Sequence, residues 1–230
     1  MIVLASASTI RRDMLRAAGV EFEVRPGQVD EETVKASHSG DAGQLALTLA
    51  EAKALAGCEL AALQPRRSRE SGNLDEDGRQ LTARALPVRG SRVRGNDGGS
   101  LMIGADSVVE APDGALLSKP PTREAAWEQL MRLRGATHRI VSAAALARDG
   151  AVVWRGVKDA RLTVRAFSEA WLADYLDREW EEIRWCVGGY RMEALGVQLF
   201  ERVEGSYHAV LGLPLLPLLE ALRMEGVLTS

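Results

Sequence analysis

The chain opens on a short apolar run, Ile2–Leu4, followed at once by small and hydroxylated residues, Ala5 to Thr9. Such a run predicts a buried strand that ends abruptly. Arg11–Ala18 then places Met14, Leu15 and Ala18 on one face, which predicts a helix stopped at Gly19. Phe22–Arg25 predicts a second short strand, and Val29-Asp-Glu-Glu32 begins an acidic loop. In Ala42–Ala56, Leu45, Leu49, Ala52 and Leu55 or Ala56 recur at helical spacing, with Gly57 as the expected stop. Apolar order returns at Leu101-Met-Ile-Gly-Ala-Asp-Ser-Val-Val109. Thr122–Leu133 predicts a helix with Ala126, Leu130 and Leu133 inward. His138–Ala147 and Ala151–Arg165 predict a strand pair turned at Arg148-Asp-Gly150. Ser168–Leu176 predicts a helix capped by Ser168, Val197–Val203 a strand, and Pro214–Met224 a last helix. Strands and helices alternate, with hairpin-like returns, so the expected fold class is α/β with a mixed sheet.

One stretch breaks every period. Residues 64–99 hold eight arginines, five acidic residues and many glycines, with scattered apolar positions. Such a segment cannot bury a core face. Its beginning and end resemble translated intergenic palindromic repeats of bacterial genomes. The expectation is a single domain over 1–230 with a flexible surface loop inserted at 64–99.

Composition narrows the function classes. Of 230 residues, 46% are hydrophobic, enough for one sizeable core. The formal net charge of −3 leaves no global footprint for nucleic acid or a membrane surface. The two cysteines, Cys58 and Cys186, make no metal or redox motif and suit a reducing compartment. With no signal-like start and no apolar run of membrane length, the expected location is cytoplasmic. P-loop, dinucleotide-binding and H-E-x-x-H signatures are absent.

The candidate chemistry is local. A strand, a small-residue turn and a helix opened by Arg11 and Arg12 suit an anion, because Arg offers bidentate contacts to phosphate. Asp106, at the end of an apolar run and flanked by Ala105 and Ser107, suits a base or a cation ligand; a turn cap is the alternative. Lys119 in Ser118-Lys-Pro120 suits a polyphosphate, or a solvated surface. Glu31 and Glu32 suit Mg²⁺ or water. Glu193, framed by Gly188-Gly189 and Gly196, suits a base edge or a plain turn. Lys53 has no locally deducible role.

Together these stretches resemble the Maf family of nucleoside triphosphate pyrophosphatases. The resemblance is carried by Leu4-Ala-Ser-Ala-Ser8 with Arg11-Arg12, Val29-Asp-Glu31, the Lys53 helix, Ile103-Gly-Ala-Asp-Ser107 and Ser118-Lys-Pro120. It continues through Gly135-Ala-Thr-His138, Gly188-Gly-Tyr190, and Glu204-Gly205 to Gly212-Leu-Pro214. It implies a mixed-sheet fold like that of Maf proteins and inosine triphosphatases, with two lobes and a central cleft. It implies hydrolysis between the α and β phosphates of a nucleoside triphosphate with a divalent cation, Mg²⁺ or Mn²⁺. Asp106 matches the family's proton acceptor. Ser6, Arg11, Lys53 and Lys119 match phosphate-side positions, and Glu31 with Asp106 the metal positions. Ile10, Ser107 and Glu193 stand where the family selects the base. Ile10 and Glu193 are similar to the branch acting on 7-methyl-GTP; Ser107 matches neither that branch nor the dTTP and UTP branch. Cys186 stands where the pyrimidine branch usually has Lys. Two features depart from the family: Ala52 replaces an acidic residue before Lys53, and the 64–99 insertion separates Lys53 from Asp106. The alternatives are a dTTP/UTP pyrophosphatase, or a nucleotide-binding regulator of cell division with weak or lost hydrolysis. A homodimer is the family's implied assembly.

Overall fold

A computed structural model describes residues 1–63 and 99–229. The stretch read as an inserted loop, 64–99, lies outside the described residues except for Gly99.

Seven strands form one mixed sheet. In chain order they are β1 (Ile2–Leu4), β2 (Glu23–Val24), β3 (Leu101–Glu110), β4 (Leu116–Leu117), β5 (Thr137–Arg148), β6 (Ala151–Val164) and β7 (Phe200–Gly205). The order across the sheet is β2-β1-β3-β5-β6-β7, with β4 beside β3. β1 runs parallel to β2 and β3, and every other pairing is antiparallel. The long β5–β6 hairpin turns on Asp149 and Gly150, both at positive φ (52° and 79°). That is the backbone an Asp-Gly turn between twisted strands requires.

Seven α-helices accompany the sheet among the described residues: α1 (Thr9–Ala17), α2 (Glu31–Ser37), α3 (Ala42–Leu63), α4 (Arg123–Leu133), α5 (Glu169–Ile183), α6 (Tyr207–Val210) and α7 (Leu215–Met224). A short 3-10 helix, Leu195–Leu199, precedes β7. Local chemistry fixes several starts. Ser8, Thr122, Ser168 and Ser206 each accept a backbone N–H from the first turn that follows. Asp41 and Gln44 cap α3 reciprocally, side chain to backbone in both directions.

Strand alternation assigns the two faces of the sheet. Met102, Val108, Val141, Ala143 and Ala145 meet Leu45, Ala46, Leu49, Ala50 and Ala54 of α3. On the other face, Ile103, Ala105, Ala144 and Leu146 pack against Met14, Leu15 and the α7 leucines. Further along that second face, Val109, Ile140, Ala160 and Leu162 meet α4, α5, Phe167 and Tyr190.

Some expected boundaries move. Gly57 is inside α3, not its stop. A Cβ there would lie 3.2 Å from both the Ala5 Cβ and the Met102 sulfur, so the glycine serves a close helix–sheet approach. Gly104 of β3 faces the same helix, and a Cβ on it would come within 2.1 Å of the Ala50 carbonyl oxygen. The acidic loop at Val29–Glu32 becomes the start of α2, because the Asp30 carboxylate accepts the Thr33 N–H. The strand expected at Val197–Val203 divides into the 3-10 helix and β7, a short apolar run whose period could not separate the two. α5 runs on from Leu176 to Ile183, which is buried.

His138 shows how deeply the second face is closed. Its Nε2 lies 2.8 Å from the Tyr190 hydroxyl, and its Nδ1 is buried without a partner among the described residues. Burial pushes the imidazole down to about 4. The unfolded chain, with an ordinary value near 6.5, therefore takes up the proton first. Stability is full above that value and drains as pH falls from about 6.5 to about 4, by on the order of 3 kcal/mol from this group. Urea unfolding from pH 7 to 4.5 checks this, with His138→Asn expected to flatten the acid limb.

Candidate active site

The site begins as a gap in the sheet. β5 pairs with β3 along one edge from Met102 to Glu110. On the other edge β1 reaches only Ile103, and β4 rejoins at Val109. Among the described residues, Gly104–Val108 thus has no strand neighbour on that side. The crevice beyond the carboxyl end of a parallel strand is the usual place for a ligand in an open α/β sheet.

Arg11 fills part of the gap. Its Nη1 donates to the Ala105 carbonyl (2.9 Å), one of the groups a strand would have satisfied, and to Ser6 Oγ (3.3 Å). Its Nε donates to the Gly212 carbonyl (2.7 Å) and its Nη2 to Ser107 Oγ (3.1 Å). The side chain is buried. Burial lowers its affinity for the proton, and the charges of Asp106 and Glu31 partly restore it. The α1 helix sets this direction: its N-cap Ser8 is itself held by a backbone donation to Ser6 Oγ.

Asp106 points to the α3 face, opposite Ser107. There Lys53 of α3 binds it, Nζ to Oδ1 at 2.7 Å. The same ammonium lies 2.7 Å from Glu31 Oε1 at the start of α2. One cation therefore holds two carboxylates that come from residues 75 positions apart in the chain. Lys53 and Asp106 side chains are each 12% exposed and Glu31 34%, so the pair opens toward solvent on the Glu31 side. Burial pushes the Glu31 carboxyl up, but the hydrogen bond and charge of Lys53, with Lys35 and Lys119, outweigh it. The group sits below the usual carboxylate range.

Lys119, exposed just beyond β4, is within electrostatic reach of Glu31 and also of Cys186. The Cys186 thiol is pushed up to about 11, first by burial and then by Glu193, against Arg191 and Lys119. Ile10 lies on α1, partly buried against the cluster shared with α7.

Of the residues expected at the site, Asp106, Lys53 and Glu31 touch directly. Arg11, Ser6 and Ser107 form a second connected group on the other side of β3. Sequence reasoning missed Ser142 and the Ala209 and Gly212 carbonyls. The signal for Ser142 was present: one hydroxyl inside the apolar run Ile140–Leu146.

Among the described residues no three His, Cys, Asp or Glu side chains form a metal-binding group. The oxygen donors on offer are Glu31 and Asp106. No described helix is long and apolar enough to cross a membrane.

Comparison with known proteins identifies the family. A family model described as Maf-like protein matches residues 1–225. A nucleoside triphosphate pyrophosphatase of Sphingopyxis alaskensis is 41% identical over 230 residues, covering 98% of each chain. One from Caulobacter vibrioides is 38% identical over 229 residues, covering 99% of this chain and 97% of its own. One from a Ruegeria species (strain TM1040) is 36% identical over 230 residues, covering 99% and 97%. The matched span takes in Arg11, Glu31, Lys53, Asp106 and Lys119 alike, and the chain belongs to the Maf-like protein family.

Proposed function

We propose that the chain hydrolyses the bond between the α and β phosphates of a nucleoside triphosphate, giving a nucleoside monophosphate and pyrophosphate. Its relatives carry the name nucleoside triphosphate pyrophosphatase, which makes the enzyme class a hydrolase of acid anhydrides. The observation that carries the reading is the Asp106–Lys53–Glu31 bridge at the gap in the sheet.

The roles in this reading are those the family resemblance implies, and the geometry supports them. Asp106, oriented by the Lys53 hydrogen bond, accepts a proton from water while the water oxygen bonds to the α phosphorus. The oxygen bridging the α and β phosphates leaves with pyrophosphate. Arg11, Lys53 and Lys119 offset the charge of the phosphates, and Ser6 lines the turn beside them. Against Asp106 and Glu31 these three cations leave one net positive charge, too little for a triphosphate. A divalent ion fits this deficit. Its donors would be Glu31 and Asp106, hard oxygens of the kind Mg²⁺ or Mn²⁺ takes with water and substrate phosphates. Such an ion polarises phosphoryl oxygens when bound.

The two packed clusters on the second face of the sheet are read as two lobes, with the nucleotide between them. Glu193, with Cys186 in place of a lysine, supports a purine of the 7-methyl-GTP kind. A carboxylate accepts from guanine N1–H and N2–H₂ and complements a positively charged methylated ring. Ile10 and Ser107 are the other two selectivity positions in this reading.

The test is pyrophosphate release with Mg²⁺ across dTTP, UTP, CTP, GTP and 7-methyl-GTP, with and without chelator. The expected result is pyrophosphate, 7-methyl-GTP ahead, and loss of turnover on chelation. A lead for dTTP or UTP would overturn the substrate reading. Triphosphate binding without turnover would make the chain a nucleotide-binding regulator instead.

A further inference from the structure

We infer that Ser142, acting through Ser107, is a positioning residue that aims the last free N–H of Arg11 into the site. Nothing in the composition or the family resemblance assigns Ser142 a role. The inference rests on the reading that Arg11 meets substrate phosphate.

The hydrogen-bond directions are forced. Ser142 Oγ lies 2.6 Å from the Ala209 carbonyl oxygen, which can only accept, so Ser142 donates its proton there. Ser142 and Ser107 hydroxyls are 2.8 Å apart. With its own proton committed, Ser142 must accept from Ser107. Ser107 in turn accepts from Arg11 Nη2, which has protons only to give. The result is a one-way chain from the guanidinium through two hydroxyls to a backbone carbonyl of α6. Ser107 and Ser142 are direct cross-strand partners on β3 and β5, so the sheet register itself holds the chain taut.

The chain decides what Arg11 can offer. A guanidinium has five N–H groups. Nε and both Nη1 protons go to Gly212, Ser6 and Ala105, and one Nη2 proton goes to Ser107. The second Nη2 proton is the one left without an acceptor among the described residues. Its direction is fixed by the planar fork once Ser107 holds its twin. Gly212 seals the arrangement. It sits at φ +94°, and a Cβ there would lie 3.3 Å from Ser107 Oγ and 3.4 Å from Arg11 Nε.

This gives Ser107 a task in addition to base selection: it faces away from Asp106 and toward the arginine. Losing Ser107 frees the Arg11 Nη2 proton outright, whereas losing Ser142 leaves Ser107 able to accept it but frees the Ser107 hydroxyl to rotate, so both changes loosen the same N–H.

The test compares Ser107→Ala, Ser142→Ala and the double variant, with Ser107→Thr and the near-isosteric Ser107→Val as a hydroxyl control. Steady-state kinetics, thermal unfolding and ¹⁵N spectra of the Arg11 guanidinium are recorded for each. Each alanine is expected to lower kcat/KM roughly tenfold, the scale of one charge-assisted hydrogen bond. The double variant should lose no more than Ser107→Ala alone, and Ser107→Thr should be active where Ser107→Val is not. The Nη2 protons of Arg11 should exchange faster in both alanine variants. Losses that multiply in the double variant, or unchanged Arg11 exchange, would overturn the relay. So would lower thermal stability with unchanged kcat/KM. Should the wild type release no pyrophosphate, the functional reading fails by itself, and Arg11 exchange still decides the relay. Should Ser142→Ala not fold, Ser142→Cys decides it: its thiol accepts from Ser107 far more weakly, so unchanged Arg11 exchange and unchanged kcat/KM in that variant would overturn the relay.

Discussion

Asp106→Asn is expected to fold normally and to lose pyrophosphate release by about 10²–10⁴-fold, the range that removing a general base produces. The amide keeps the shape and can still accept from Lys53 through its oxygen. It cannot take a proton from water at neutral pH. Stability should barely fall, because Lys53 keeps Glu31 at 2.7 Å and so is not left as an unpaired buried charge. Single-turnover release of pyrophosphate, with a urea unfolding curve on the same sample, separates the two effects. Near-normal turnover in a folded Asp106→Asn variant would remove Asp106 from the reaction.

Lys53→Met is expected to damage both stability and activity. It removes the one ammonium between Asp106 and Glu31 and leaves two carboxylates facing each other. Breaking a buried ion pair costs about 3–5 kcal/mol, and this site belongs near the lower end because Glu31 is partly solvated. The sign of the pH dependence follows from Glu31, whose folded value lies below its ordinary one. Its contribution is present above the ordinary carboxylate range and disappears as pH falls through the folded value. The stability gap between wild type and Lys53→Met should therefore be widest near pH 7 and narrow in acid. Turnover should drop about 10²–10³-fold, as for loss of one fixed electrostatic partner at a reacting centre. Restoring turnover with a saturating divalent ion while the stability gap persists would show that the ammonium's role is structural.

Much of the fold was legible along the chain. Ile2–Leu4, Leu101–Val109 and the β5–β6 hairpin were marked by apolar runs and by the Asp-Gly turn. The helices at α1, α4, α5 and α7 were marked by period, and α5 also by its Ser168 cap. The chain's misleading punctuation was glycine. Gly57 looks like a helix stop and is a contact point, because a missing Cβ serves close packing as well as it serves a turn.

The candidate site was legible as residue types in order. Arg11, Glu31, Lys53, Asp106 and Lys119 could be picked out, but their partners could not. Lys53 shows why. Nothing near it on α3 calls for a charge, and its purpose appears only when β3 and α2 bring two carboxylates to its tip. Ser107 shows the converse. It is adjacent to Asp106 in the chain, yet alternation along β3 sends the two side chains to opposite faces.

The sequence by itself determined most of the longer elements, the Ser168 cap, the fold class and the set of charged groups, since each of these depends on neighbours within a few residues. Only the tertiary structure decided which charges meet, that β1 ends early enough to leave a gap for Arg11, and that Ser107, Ser142 and Ala209 align into one directed chain. Those contacts join residues far apart in sequence. Their register is set by the cross-strand pairing of β3 with β5 and by the close approach of α3 at Gly104, neither of which has a local signature.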